Sequence, residues 1–189
     1  MSVNIEPLTQ LDAAALARVI TGYTSGVRWV VRWEDAADST RFVLTPEPLP
    51  EPITRRYDYL DEETVRRYRD GLAHGCSAGA FAAGSLVGVA LAEPHFWNGS
   101  LWVSELHVAD AFRGQGIGRR LVDWLAARAG DLGLRTIVCE TQNNNAPAIA
   151  FYRRVGFQLE GVDVSYYTNE DWPDGDVAVF MKKRLPASD

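Results

Sequence analysis

Leu106-His107-Val108-Ala109-Asp110-Ala111-Phe112-Arg113-Gly114-Gln115-Gly116-Ile117-Gly118-Arg119 is the stretch on which the reading of this chain turns. The apolar run Leu101 to Val108 reads as a strand, and it enters a turn with glycine at every second position, 114, 116 and 118. Beyond the turn, Ile117, Leu121, Val122, Leu125 and Ala129 share one helical face. The first N–H groups of a helix have no intrahelical partner and carry the positive end of its dipole, so they receive anions. Glycine lets the backbone approach such a ligand closely. Arg119 and Arg120 fall in the first helical turn, where their charge opposes the dipole and a bound anion would relieve it. The spacing separates this turn from other phosphate loops. It has no Gly-Lys-Ser/Thr, and its glycines do not fit G-x-G-x-x-G. What remains is Arg113-x-x-Gly116-x-Gly118.

Downstream, Thr136 to Glu140 reads as a strand and Ala146 to Val155 as a helix that exits at Gly156-Phe157, with Gly156 able to take a left-handed cap. Leu159 to Tyr167 and Val177 to Met181 read as two final strands. Upstream, Ala78 to Ala83 and Ser85 to Glu93 are strand-like around Gly84, and Asn98-Gly99 in Trp97-Asn98-Gly99-Ser100 signals a hairpin. Further upstream the pattern predicts a strand at 3–8, a helix over Leu11–Ile20, strands at Val27–Trp33 and Arg41–Thr45, and a helix over Asp61–Leu72. Between them Pro46 to Pro52 holds four prolines in seven residues and is expected to be a loop. The expected organisation is a single domain, with residues 1–75 an extension packed on a core at 76–189.

A second segment supports the glycine turn: Asn145-x-x-Ala148-x-x-Phe151-Tyr152-x-x-x-Gly156-Phe157. Together the two resemble the GNAT superfamily of acyl-CoA-dependent N-acetyltransferases over residues 76–185. The resemblance implies an α/β fold: a mixed, mostly antiparallel central sheet with splayed strands, flanked by helices. It implies acetyl-CoA as co-substrate and no metal. The backbone of Leu106, His107 and Val108 would pair with the pantetheine amides. The N–H groups from Arg113 through Gly114, Gln115, Gly116, Ile117 and Gly118 to Arg119 would hold the pyrophosphate. Asn145 would hydrogen-bond the cofactor, and Tyr152 would sit near its sulfur. Within the superfamily, Glu140-Thr141-Gln142-Asn143-Asn144-Asn145-Ala146-Pro147-Ala148, Phe151 to Phe157, Gly161-Val162-Asp163 with Tyr166-Tyr167, and Trp97-Asn98-Gly99 resemble streptothricin (nourseothricin) acetyltransferases. That group usually has two adjacent acidic residues in the central strand, whereas this chain has Ser104-Glu105-Leu106.

Acyl transfer to an amine requires a neutral nucleophile, so an ammonium group must lose a proton, and the departing thiolate must gain one. Tyr152 is the expected acid for the thiolate. Glu105, on the strand that faces the cofactor, is the expected base, with Glu140 and His107 as further candidates. Trp97, Asp163 and Tyr166 are expected in the acceptor pocket, where an acid with aromatic walls holds an ammonium group. The acceptor is expected to be a small-molecule amine, with a protein lysine or N-terminus, or a non-catalytic acyl-CoA sensor, as alternatives.

The composition fits these expectations. The chain has 189 residues, 47% of them hydrophobic, enough for a sizeable core. Its net charge of −6 comes from 19 Lys+Arg against 25 Asp+Glu and argues against nucleic acid as a partner. Cys76, Cys139 and three His form no disulfide or zinc framework, which places the expected site of action in the cytoplasm. No basic run followed by an apolar stretch opens the chain, and no window is apolar enough for a membrane span. A monomer or a homodimer is expected.

Overall fold

The computed structural model describes residues 2–186. Their elements are β1 (Val3–Pro7), α1 (Ala13–Val19), β2 (Gly22–Ala36), β3 (Ser39–Arg56), α2 (Glu62–Gly71), β4 (Ala78–Ala82), β5 (Ser85–His95), β6 (Ser100–Val108), α3 (Ile117–Asp131), β7 (Thr136–Gln142), α4 (Ala146–Arg154), β8 (Gln158–Asp163) and β9 (Ala178–Arg184). They cluster into two compact units. Residues 2–22, 56–139 and 183–186 form the first, and 23–55 and 140–182 the second. Residues 1–75 are therefore shared between the units.

In the first unit the strand order is β1-β4-β5-β6-β7. The first three pairings are antiparallel, and β6 runs parallel to β7. Val87 to Ala92 of β5 are all buried, as expected for a strand covered on both faces. On one face lies α3, with the anticipated Ile117, Leu121, Val122, Leu125 and Ala129 buried. A Cβ on Gly88 would meet Ile117 Cγ2 at 3.3 Å, so glycine permits this close approach. On the other face Val89 and Leu91 join Leu16 and Val19 of α1 and Tyr68 of α2 in one apolar cluster. Asp12 caps α1 by accepting from the Ala14 N–H at 2.9 Å, and Asp61 caps α2 from Thr64 at 2.8 Å. The Trp97–Ser100 hairpin forms as expected, with Gly99 at φ 65°.

The second unit holds β2 and β3 as a two-stranded ribbon, the end of β7, α4, β8 and most of β9, in the sheet order β7-β9-β8. Two expectations are corrected here. The proline-rich stretch Pro46–Pro52 is not a loop: it lies inside the 18-residue strand β3. Its prolines occupy positions 46, 48, 50 and 52, so a period of two places every missing donor on one edge. A ribbon strand has an edge to spare, and all four prolines are exposed. The strand expected over Leu159–Tyr167 ends at Asp163. Asp163 turns its carboxylate onto the Ser165 N–H at 3.0 Å, and Asp171 takes the N–H groups of Tyr167 (2.7 Å) and Thr168 (2.9 Å). These side chains supply acceptors that a sheet would otherwise provide.

Candidate active site

The glycine turn lies in the first unit. Gly114 and Gly116 take φ of 76° and 78°, and nothing stands within 4 Å of where a Cβ would be. Glycine is therefore needed for backbone conformation rather than for space. Gly116 is the N-cap of α3, no side chain caps that end, and its first turn holds no acidic residue. Long side chains of the turn and of the first turn of α3 bond to backbone carbonyls. Arg113 donates to the carbonyls of Val108 and Gly22, each at 3.1 Å, and pairs with Asp110 at 2.9 Å. Gln115 donates to the Ala111 carbonyl at 3.1 Å. Arg120 reaches the Val3 carbonyl at 2.8 Å. Arg113 and Gln115 thus brace the loop, and the turn from Arg113 to Gly116 is exposed. This is a cradle suited to an anion.

Pairing along β6 is asymmetric. Its ladder with β5 runs from Ser100 to Val108, whereas its ladder with β7 covers Ser100–Val103 against Thr136–Cys139. Leu106, His107 and Val108 lie beyond that second ladder, on the segment that leads into the turn. A bulge at Ser104 of β6, opposite the step from Leu91 to Ala92 of β5, interrupts the register. Bulges bend a strand and redirect its side chains.

Glu105 is 7% exposed and holds a hydrogen-bond network that the sequence did not reveal. The Tyr59 hydroxyl donates to its Oε1 at 2.9 Å, the Tyr68 hydroxyl donates to the same oxygen, and His107 Nε2 lies 2.7 Å from Oε2. Tyr57 packs edge-on against the His107 ring, with centroids 5.7 Å apart. Burial, and then the Glu105 charge, hold the phenols of Tyr59 and Tyr68 well above the usual tyrosine range, so both remain donors. Tyr68 shares the buried face of α2 with Val65. Its sequence signal was a tyrosine at an apolar helical position, and Tyr57-Asp58-Tyr59 gave an alternation in a segment without clear structure.

Asn145, Tyr152, Asp163 and Tyr166 lie in the second unit. Asn145 Oδ1 caps α4 by accepting from the Ala148 N–H at 3.2 Å, which leaves its amide NH₂ for a ligand. The neighbouring asparagines serve the fold. Asn143 bridges the Val177 N–H and the Trp29 carbonyl, and Asn144 accepts from the Tyr23 hydroxyl at 2.5 Å and donates to Asp176. Tyr152, 7% exposed, packs on Phe157 with centroids 5.3 Å apart. Tyr166 stacks edge-on with Tyr167 and Phe180. Burial, then Glu140 and Asp163, raise its phenol, while Tyr167 donates to Glu140. Trp97 stands apart from Glu105 within the first unit. It is 86% exposed in the hairpin turn, and five residue steps along the strand, roughly 17 Å at the usual rise, take Ser100 to Glu105.

Arg128 lies beside Cys76 and opposes the effect of burial, but burial wins and pushes the thiol up. Among the described residues no helix is long and apolar enough to cross a membrane.

Residues 33–157 match the model of the acetyltransferase (GNAT) family. A streptothricin acetyltransferase of Streptomyces lavendulae is 37% identical over 105 residues, which are 56% of this chain and 55% of that protein. The match thus spans about half the length of that relative. A crystal structure of nourseothricin acetyltransferase superimposes with a TM-score of 0.74 at 27% identity, covering 98% of this chain and 100% of that one. A Bacillus anthracis protein solved in complex with acetyl coenzyme A shares the fold, with a TM-score of 0.73 at 19% identity over 97% of this chain and 100% of its own.

Proposed function

The chain belongs to the acetyltransferase (GNAT) family, and from that premise we propose that it transfers the acetyl group of acetyl-CoA to a primary amine of a small cationic molecule of the streptothricin class. The observation that carries the acceptor class is the likeness to nourseothricin acetyltransferase along nearly the whole chain, at 27% identity. The acidic net charge of −6 suits a cationic acceptor.

Each residue has a role in this reading. The backbone from Arg113 to Arg119 holds the pyrophosphate, favoured by two left-handed glycines and an α3 N-terminus that no side chain caps. Residues 106–108, past the end of the β6–β7 ladder, offer backbone groups to the pantetheine amides. Asn145 donates its amide to the cofactor while its oxygen keeps the α4 cap. As the amine attacks, a backbone N–H of β6 stabilises the developing oxyanion. Glu105 helps to deprotonate the acceptor, and Tyr152 protonates the departing thiolate. Asp163 and Tyr166, beside Glu140, bind the cationic acceptor through charge and ring faces. Residues 76–189 are the catalytic core, and residues 1–75 complete it.

An acceptor panel tests the reading. Thiol release from acetyl-CoA is measured with streptothricin, with polyamines and with lysine-bearing or free N-terminal peptides. The expected result is the highest kcat/KM for streptothricin. A higher value for a peptide would move the assignment to protein acetylation.

A further inference from the structure

Glu105 and His107 stand two residues apart on β6 and share one face of the sheet. The carboxylate is fully engaged: Tyr59 and Tyr68 donate to Oε1, and Oε2 faces His107 Nε2 at 2.7 Å. An ionised carboxylate only accepts, so Nε2 must carry the hydrogen. With Nε2 carrying the hydrogen, the ring nitrogen with a lone pair to accept a proton is Nδ1. No group among the described residues hydrogen-bonds Nδ1. Exposure separates the two residues further, since the Glu105 side chain is 7% exposed and that of His107 16%.

We infer that His107 is the group that takes the proton from the acceptor's ammonium, at Nδ1, and that Glu105 acts through it as a positioning residue. This rests on the acetyl-transfer reading above. Glu105 fixes the ring orientation and the Nε2–H tautomer, and it stabilises the imidazolium once Nδ1 is protonated. Tyr59 and Tyr68 hold Glu105 in turn.

The protons balance. The ammonium gives one proton to His107 Nδ1 and becomes a neutral amine. The amine nitrogen forms a bond to the thioester carbonyl carbon, and the C–S bond breaks. The second proton leaves the nitrogen as the amide forms, and the thiolate gains one from Tyr152, whose hydroxyl is restored by that second proton. His107 then releases its proton to water.

Among the described residues, the groups that touch His107 are Glu105, on its own strand, and Tyr57, from the segment before α2. Tyr59 lies beside Tyr57 and donates to Glu105. Tyr68 comes from α2, with the Arg67 guanidinium 5.6 Å from its ring centre. Val89, opposite His107 on β5, does not titrate.

Two measurements on the full chain decide the point. A long-range ¹H–¹⁵N spectrum reads which ring nitrogen of His107 carries hydrogen, with His107→Gln supplying the assignment. The expected result is the Nε2–H tautomer in the wild type and loss of that preference in Glu105→Gln. The second measurement is the pH profile of kcat/KM with nourseothricin. His107→Gln keeps an amide donor for Glu105 but cannot titrate. It is expected to lose the low-pH limb and about 10²-fold in rate, within the general-base range. Its acetyl-CoA affinity by calorimetry should be unchanged. An Nδ1–H tautomer overturns the inference, as does a His107→Gln variant with the wild-type limb and rate. A wild type that transfers no acetyl group overturns this inference and the reading beneath it together. A silent His107→Gln in an active enzyme overturns this one alone.

Discussion

At the scale of single residues, side chains and backbone divide the work around the proposed centre. Arg113 and Gln115 direct their polar ends at carbonyls of the fold, so the backbone of the turn is what a phosphate would meet. Asn145 divides in the same way, with its oxygen on the α4 cap and its NH₂ available. Tyr152 is buried against Phe157, and its hydroxyl is the group assigned to the thiolate. Tyr152→Phe keeps the ring and removes that hydroxyl. A kcat about 10²-fold lower is expected, with acetyl-CoA affinity nearly unchanged. Stopped-flow thiol release checks this, and near wild-type turnover would remove Tyr152 from the mechanism. The sequence singled out Tyr152 through its place in a motif and Glu105 through its place on the strand expected to face the cofactor. It did not carry Tyr59 and Tyr68, which reach Glu105 from 46 and 37 residues away in the chain. Contacts of that span depend on how α2 packs on β5 and leave no local pattern.

At the scale of elements, periodicity decided what could be read. The buried face of α3 was legible because a 3.6-residue repeat of apolar side chains has one interpretation in a 15-residue segment. β3 was misread because proline usually breaks a ladder. The alternation of its prolines, which leaves one edge intact, was the signal that a strand was possible. The end of β8 was missed because Asp163 and Asp171 close turns across a stretch that is aromatic enough to look like a strand. The glycine turn is the element that carries the cofactor assignment. Gly116→Asp places a side chain at φ 78° and a negative charge at the α3 N-terminus. Loss of acetyl-CoA binding by calorimetry is expected in a protein that still folds. Gly116→Ala carries the backbone strain without the charge and should retain more affinity than the aspartate variant. Equal, undiminished binding in both would sink the pyrophosphate assignment.

At the scale of the whole molecule, the family assignment rests on a match over residues 33–157 and a likeness to solved structures along nearly the full chain. Fold class was legible because two short motifs, at 113–118 and 145–157, fix the order of strand, turn, helix, strand and helix between them. The boundary at residue 75 was drawn where the family resemblance begins, and each compact unit combines segments distant in the chain, 2–22 with 56–139 and 183–186, and 23–55 with 140–182. The central claim is acetyl transfer to a cationic amine. Its most direct test is to incubate the purified chain with acetyl-CoA and nourseothricin and to follow the antibiotic by mass spectrometry while counting the thiol released. The account predicts acetylated antibiotic and free CoA in equal amounts, accumulating over many turnovers. Tight acetyl-CoA binding with no acetylated product and no thiol release would contradict it and leave an acyl-CoA-binding protein without transferase activity.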